Sequence, residues 1–205
     1  MNKRNPERNR ERILAAALEE FSRYGLGGAR VDRIAARAGA NKRMLYYYFG
    51  NKEELFLAVL ESRYAHIRRA EQGLRLGALE PVHGIRRLIA FTWHYYLKHP
   101  EFLTLLNSEN LHRARHLRRS RQIAALHSPL VAMLRDLLER GVRLRKFRRG
   151  VDPVQLYISI AALGYFYLSN RHTLSTIFER DLLAPRNKAE RLQHMTGLVL
   201  GYLSK

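Results

Sequence analysis

The residues with binding chemistry stand together at Asn41-Lys42-Arg43-Met44-Leu45-Tyr46-Tyr47-Tyr48-Phe49, with Lys52 just beyond. Arg43 offers a planar fork of N–H donors that matches the O6/N7 edge of guanine. Lys42 can meet the same edge or neutralise a phosphate. The hydroxyls of Tyr46 and Tyr47 can donate to phosphate oxygens while their rings pack locally. The chain has no nucleotide-binding glycine loop, no nucleophile elbow and no paired-carboxylate motif, so no enzyme site emerges. Contact with the backbone and base edges of a nucleic acid is the chemistry these residue types support.

Such a stretch must be a helix held at a fixed angle. Upstream, Ile13, Leu14, Ala17, Leu18 and Phe21 recur at three- and four-residue spacings and predict a first helix from Arg10, ended at Gly25 by a left-handed cap, with Gly27-Gly28 extending the break. Asn2 to Asn9 ahead of it reads as a polar, basic arm. Val31, Ile34, Ala35 and Ala38 predict a short second helix. Gly39-Ala40-Asn41 is then a turn: glycine for a positive φ, alanine for close approach, asparagine as N-cap. Two short helices joined this way and braced by a longer one make a helix-turn-helix, with Asn41 to Phe49 as the helix that enters the major groove. Leu45 and either Tyr48 or Phe49 face the brace, leaving Lys42, Arg43, Tyr46 and Tyr47 outward. Lys52 opens the fourth helix beside the flanking backbone.

The formal net charge of +19 favours an anionic partner, DNA first. Residues 1–60 carry only +5 of it, so the local pattern, not the charge, singles out this domain. The absence of cysteine excludes disulfides and thiolate metal sites. His112 and His116 have the i,i+4 spacing of metal ligands but stand among arginines that would repel a cation; no metal and no cofactor is expected. With no long apolar window and no apolar N-terminal segment, the expected setting is cytoplasmic, nucleoid-associated when bound to DNA, with no membrane partner.

Ile13 to Leu60, about the first quarter of the chain, resembles the DNA-binding domain of the TetR family of bacterial transcriptional regulators. The matching pieces are Ile13, Ala17, Phe21 and Gly25; Ile34-Ala35 with Ala38-Gly39; Leu45 to Phe49; and Lys52-Glu53-Glu54-Leu55-Phe56. The resemblance implies that Asn41 takes the place of the usual serine cap, that Lys42 and Arg43 contact bases, and that Tyr46, Tyr47 and Lys52 contact phosphates. Tyr48 stands where histidine is commonest. Ala29-Arg30 stands where members carry threonine, so a hydroxyl cap is lost at the start of the second helix, and Arg30 is expected to make the phosphate contact instead. The segments Phe147 to Pro153 and Ser169-Asn170-Arg171 broadly resemble members of the pyrimidine-catabolism regulator type, which implies no ligand.

The rest of the chain predicts further helices, about nine to ten in all. They are Lys52 to about Glu71, Pro81 to His99, Glu101 to about Asn110, Ile123 to Gly141, Val154 to Leu168, Asn170 to Arg180, and Ala189 to Tyr202 after a loop from Asp181 to Arg186. The expectation is an all-α fold with a helix-turn-helix domain at residues 1–51 and a helical effector-binding and dimerisation domain at 52–205. Val154 to Leu168 is apolar almost all round, and a chain this short is hard put to cover such a helix alone. A homodimer interface of two helices per subunit supplies the cover, with Tyr157, Ala161, Leu168, Leu192, Met195 and Val199 as candidates. Polar and aromatic residues in otherwise apolar helices mark candidates for a pocket between the fifth and eighth helices: Trp93, Tyr96, Asn107, Asn110, His127, Tyr157 and Tyr165. The composite expectation is a regulator, most often a repressor. It would bind double-stranded operator DNA of inverted-repeat form as a homodimer and respond to an unknown small-molecule effector, with the fourth helix as lever. The alternative is an architectural or low-specificity DNA-binding protein that uses the basic C-terminal surface.

Overall fold

Apolar spacings of three and four residues dictate helices, and helices are what the chain forms. The computed structural model describes residues 6–204, apart from the side chains of Ala124, Leu126, His127 and Ser128. Over the described residues the fold is all-α, with helix-turn-helix elements at the N-terminal end and a helical bundle after them. The helices are α1 (Pro6–Gly28), α2 (Val31–Arg37), α3 (Lys42–Phe49), α4 (Lys52–Gln72), α5 (Pro81–Lys98), α6 (Pro100–Leu111), α7 (Arg121–Arg143), α8 (Pro153–Ser169), α9 (Arg171–Ile177) and α10 (Pro185–Leu203). Short 3-10 turns lie at Leu76–Ala78 and Leu117–Arg119. The chain groups into two compact units: residues up to His66 with Pro100–Ala124, and Ile67–His99 with the chain from Ala125 onward.

Two helix starts lie four residues ahead of expectation, each at a proline. α1 starts at Pro6 rather than Arg10, and α10 starts at Pro185 rather than Ala189. A proline in the first turn loses nothing by lacking an N–H, and its fixed φ suits a helix. Residues 6–9 of the predicted arm are therefore helical, while residues 2–5 lie outside the described residues. Gly25 does break α1, with φ 64° and ψ 179°, but one more helical turn follows it to Gly28.

In the first unit Ile13, Ala17, Phe21, Ile34, Leu45, Phe49, Phe56 and Leu60 close one apolar cluster around α1. Phe21 meets Phe56 edge to face at 5.1 Å. Each of these larger side chains contributes about 1.5–3 kcal/mol by leaving water. The basic stretch from His112 to Arg121 is not a loose surface. Arg115 pairs with Glu53 and Arg119 with Glu54, and Ser120 donates to Glu61 at 2.6 Å, so the stretch is strapped along α4. Residues 112–116 form turns, so His112 and His116 do not share a helix face. His116 is wholly buried, its Nδ1 2.6 Å from Glu109, while His112 Nδ1 bonds the Ser108 carbonyl at 2.7 Å. Among the described residues no three His, Cys, Asp or Glu side chains converge on a metal position.

In the second unit α5, α8 and α10 pack on one another, with Trp93, Ile160 and Met195 inside. Asp152 caps α8 by accepting the Gln155 N–H at 2.8 Å, with Pro153 in the first turn. Phe147, just before, lies over Gly141, where any Cβ would run into its ring. No helix among the described residues is long and apolar enough to cross a membrane.

Candidate nucleic-acid interface

α3 is placed by three contacts. Asn41 caps it, its Oδ1 accepting the Met44 N–H at 2.8 Å, which leaves the amide nitrogen of this exposed side chain as a donor. Leu45 and Phe49 bury its inner side, and Arg10 of α1 lies 5.2 Å from the Phe49 ring centre. The turn into it is clipped from behind: Arg12 donates to the carbonyls of Ala38 and Gly39. Gly39 takes φ +57°, which favours glycine, and a Cβ there would also displace the Arg12 guanidinium from the turn.

The outward side of α3 then carries Lys42, Arg43, Tyr46 and Tyr47, spaced so that they share one face. All four are exposed, Tyr47 at 82%. Tyr48 is half-buried and braces Tyr47 edge to face at 5.3 Å. Arg43 has no ion-pair partner among the described residues. Lys42 does: its ammonium sits 2.5 Å from the Asp32 carboxylate of α2, so a nucleic acid would compete with Asp32 for it.

Arg30 is exposed at the N-cap of α2, with extended backbone and no capping bond from its own side chain. The missing hydroxyl is replaced from another helix. Glu20 of α1, wholly buried, accepts the Arg30 backbone N–H at 2.9 Å and the Arg33 guanidinium at 2.6 Å, with Arg37 3.7 Å away. Burial pushes the Glu20 carboxyl up. Its hydrogen bonds from Arg33 and the Arg30 N–H, with the charges of Arg33 and Arg37, outweigh that and hold it below the ordinary carboxylate value. Lys52 is half-buried and donates to the Ala29 and Gly27 carbonyls at 3.0 and 3.4 Å, so it ties down the end of α1 as well as facing outward. Arg12 and Glu20 escape a reading of the sequence, because their partners lie 26 and 10 residues away and neither falls in a local motif.

The residues singled out for a ligand fall in both units. Trp93, Tyr96, Tyr157 and Tyr165 belong to the second unit, and Asn107 and Asn110 are exposed on α6 of the first. The His127 side chain lies outside the described residues. Trp93 is buried against the edge of Tyr167 at 5.6 Å, and Tyr96 packs on the backbone of Gly164. Tyr157 accepts a 2.6 Å hydrogen bond from Arg68, whose other terminal nitrogen meets Glu71 at 2.6 Å. Arg68 and Glu71 are almost wholly buried, and Arg68 Nε has no hydrogen-bond partner among the described residues. Burial pushes the Glu71 carboxyl up to about 7, and Arg68 offsets this only in part.

Of the residues singled out for dimerisation, Leu168, Met195 and Val199 pack in the subunit's own interior; Tyr157, Ala161 and Leu192 are half-buried. Another row of α8 and α10 faces outward. Val154, Ile158 and Phe166 of α8 and Leu198 and Tyr202 of α10 are exposed, and a groove of about 470 Å³ runs between the two helices. An apolar helix shows that residues need cover but not which way each faces, and the outward phase follows only from how α8 and α10 pack.

Comparison with known proteins agrees with this geometry. Residues 13–59 match the family described as bacterial regulatory proteins, tetR family, and residues 81–199 match the tetracyclin repressor-like C-terminal domain. The HTH-type transcriptional repressor NicS of Pseudomonas putida is 44% identical over 95% of this chain and 92% of its own. The HTH-type transcriptional repressor SCO4008 of Streptomyces coelicolor is 40% identical over 69% of this chain and 71% of its own. Among solved structures, the regulator FadR of Bacillus subtilis in complex with stearoyl-CoA shares the fold, with TM-score 0.68 and 14% identity over 95% of this chain and 99% of that one.

Proposed function

The chain belongs to the TetR family of bacterial regulatory proteins, and from that premise we propose that it is a repressor. It binds an inverted-repeat operator as a homodimer and changes its DNA affinity when a small molecule binds the second unit. The observation that carries the DNA reading is α3 itself, with four outward side chains able to bind bases or phosphates, clipped to α1 through Arg12 and Phe49. The two close relatives are both described as repressors, which supports that sign of regulation.

The roles divide as follows. Arg43 and Lys42 read base edges, Lys42 after giving up Asp32. Tyr46, Tyr47, Arg30 and Lys52 hold phosphates, with Asn41 capping and donating at the start of α3. The exposed apolar row on α8 and α10 pairs with its copy across a two-fold axis, which sets two α3 helices on successive major-groove faces. Within the second unit Tyr157, backed by Arg68, anchors the effector among Tyr96, Trp93 and Tyr165, the Arg68 Nε supplying a donor with no partner of its own. α4 starts beside α3 and ends at Gln72, past Arg68, and is the continuous element by which the effector reaches the reading head.

Titration of the promoter beside the protein's own gene, with scrambled DNA as control, tests this. Preferential binding, weakened by Lys42→Ala or Tyr47→Ala without loss of the dimer, is expected. Equal affinity for both DNAs would sink the sequence-specific reading and favour an architectural role. Against that role, Arg115 and Arg119 of the basic stretch are already paired with α4.

A further inference from the structure

The arginines of the Phe147-to-Pro153 segment are not used by the DNA or effector reading. Phe147 is spent on the core, and Asp152-Pro153 on starting α8. Arg148 and Arg149 instead line a groove of about 500 Å³ in the second unit, opposite Arg135 and Arg143 of α7. We propose that this groove is a second ligand site, for a small molecule that carries a di- or triphosphate.

Charge points to an anion. Four guanidinium groups line the groove against a single carboxylate, Glu139, and among the described residues neither Glu139 nor Arg135, Arg143 or Arg149 has an ion-pair partner. Some exposed arginines elsewhere in this protein close on neighbouring acids, as Arg115 does on Glu53 and Arg186 on Glu190. Here the positive charges face one another across a concave space, an arrangement that repels itself until an anion enters.

Geometry points to phosphate. Arg148 is stacked over the Tyr202 ring at 3.5 Å, and its backbone N–H is tied to the Leu203 carbonyl at 2.8 Å. Stacking fixes the plane of a guanidinium and leaves its edge donors free, the form that grips phosphate oxygens two at a time. Gly150, at φ +79°, reverses the chain after Arg149, and nothing lies within 4 Å of where its Cβ would be, so the backbone there is open to a ligand. The uncompensated charge exceeds what one carboxylate can neutralise and suits two or three linked phosphates. The volume falls in the usual range for small-molecule sites, and Val142 and Val151 offer an apolar wall for a ring. A concave groove of this size favours a small molecule over the convex backbone of a duplex.

Calorimetric titration of the full-length protein with inorganic pyrophosphate and with ADP, at fixed ionic strength, tests the site. One saturable event per chain is expected, weakened about tenfold or more in R143A/R149A and severalfold in R148K, which keeps the charge but loses the planar fork. R69A/R87A removes equal charge from exposed positions elsewhere in the second unit and should leave binding unchanged. All the replaced arginines of the double variants are exposed, and unchanged melting temperatures should confirm that the variants are folded. Absence of saturable binding, full retention in R143A/R149A, or an equal loss in R69A/R87A overturns the proposal. So does a scrambled duplex whose binding is lost in R143A/R149A while neither phosphate compound binds, which would assign the groove to DNA. None of these outcomes depends on α3 or on the effector anchored at Tyr157.

Discussion

The Glu20 carboxylate accepts the backbone N–H of Arg30 at 2.9 Å, so α1 closes the start of α2 from the side. The same oxygen holds Arg33, and α1 and α2 share one buried charge. Removing it leaves Arg33 without its carboxylate and the Arg30 N–H without its acceptor, while Arg37 keeps Glu19 at 3.3 Å. Glu20→Ala should lower stability by about 3 kcal/mol, read from urea unfolding, with Glu20→Gln intermediate. Because the folded-state value of Glu20 lies below its ordinary 4.5, its contribution is present above pH 4.5 and is lost as pH falls through the lowered value. An acid-unfolding midpoint that is the same in Glu20→Gln and wild type would count against this role.

Glu71 has the opposite sign. Its folded value of about 7 lies above the ordinary 4.5, so between those two pH values the folded state holds a proton that the unfolded state has released. Stability should therefore fall as pH rises from about 4.5 to about 7 and flatten beyond, by on the order of 3 kcal/mol in total. Glu71→Gln should abolish that slope. Its persistence in the variant would assign the effect to another group.

The turn before α3 should not tolerate a side chain. Gly39→Ala meets both a positive φ and the Arg12 guanidinium, and a loss of about 1–2 kcal/mol is expected, with operator affinity falling in parallel. Gly50, at φ +75° but with open space around its Cβ position, should cost less. Equal losses at the two glycines would show that the Arg12 clip contributes little.

How much of this was legible in the sequence follows from the range of each interaction. The α3 cap at Asn41, the glycine at Gly39 and the split between buried Leu45 and exposed Tyr47 are local and were readable from spacing alone. The Glu20 and Arg12 contacts join separate helices, and no spacing rule announces them. Arg68 and Glu71 look like ordinary charged residues on a long helix; only the packing of Tyr157 reveals them as buried. For the proposed dimer face, the composition of α8 called for cover, while the phase that puts Phe166 outward and Leu168 inward depends on where α5 and α10 sit.

That outward face gives its own test. Phe166→Glu replaces an exposed apolar side chain, so the subunit's own fold should survive with unchanged helical content. The dimer should fall apart to monomers in sedimentation velocity, because a carboxylate would be buried twice across the two-fold axis. A variant that stays dimeric would move the interface elsewhere.

Asp32 and Lys42 offer a change in the direction of gain. Their ion pair is exposed and adds little to stability, but it occupies the cation proposed to meet DNA. Asp32→Asn should raise operator affinity a few-fold, while Lys42→Ala lowers it and reduces the slope of log affinity against log salt by about one. No gain in Asp32→Asn would mean that the pair opens without cost.

The most direct test is to let the protein choose its DNA. Selection from a random duplex library by the wild-type dimer should enrich an inverted repeat that binds about a thousandfold or more tighter than its scrambled counterpart. The Lys42→Ala/Tyr47→Ala double variant, still dimeric, should lose that preference. Failure to enrich any sequence, or enrichment that is unchanged in the double variant, would contradict the assignment of α3 as the reading helix.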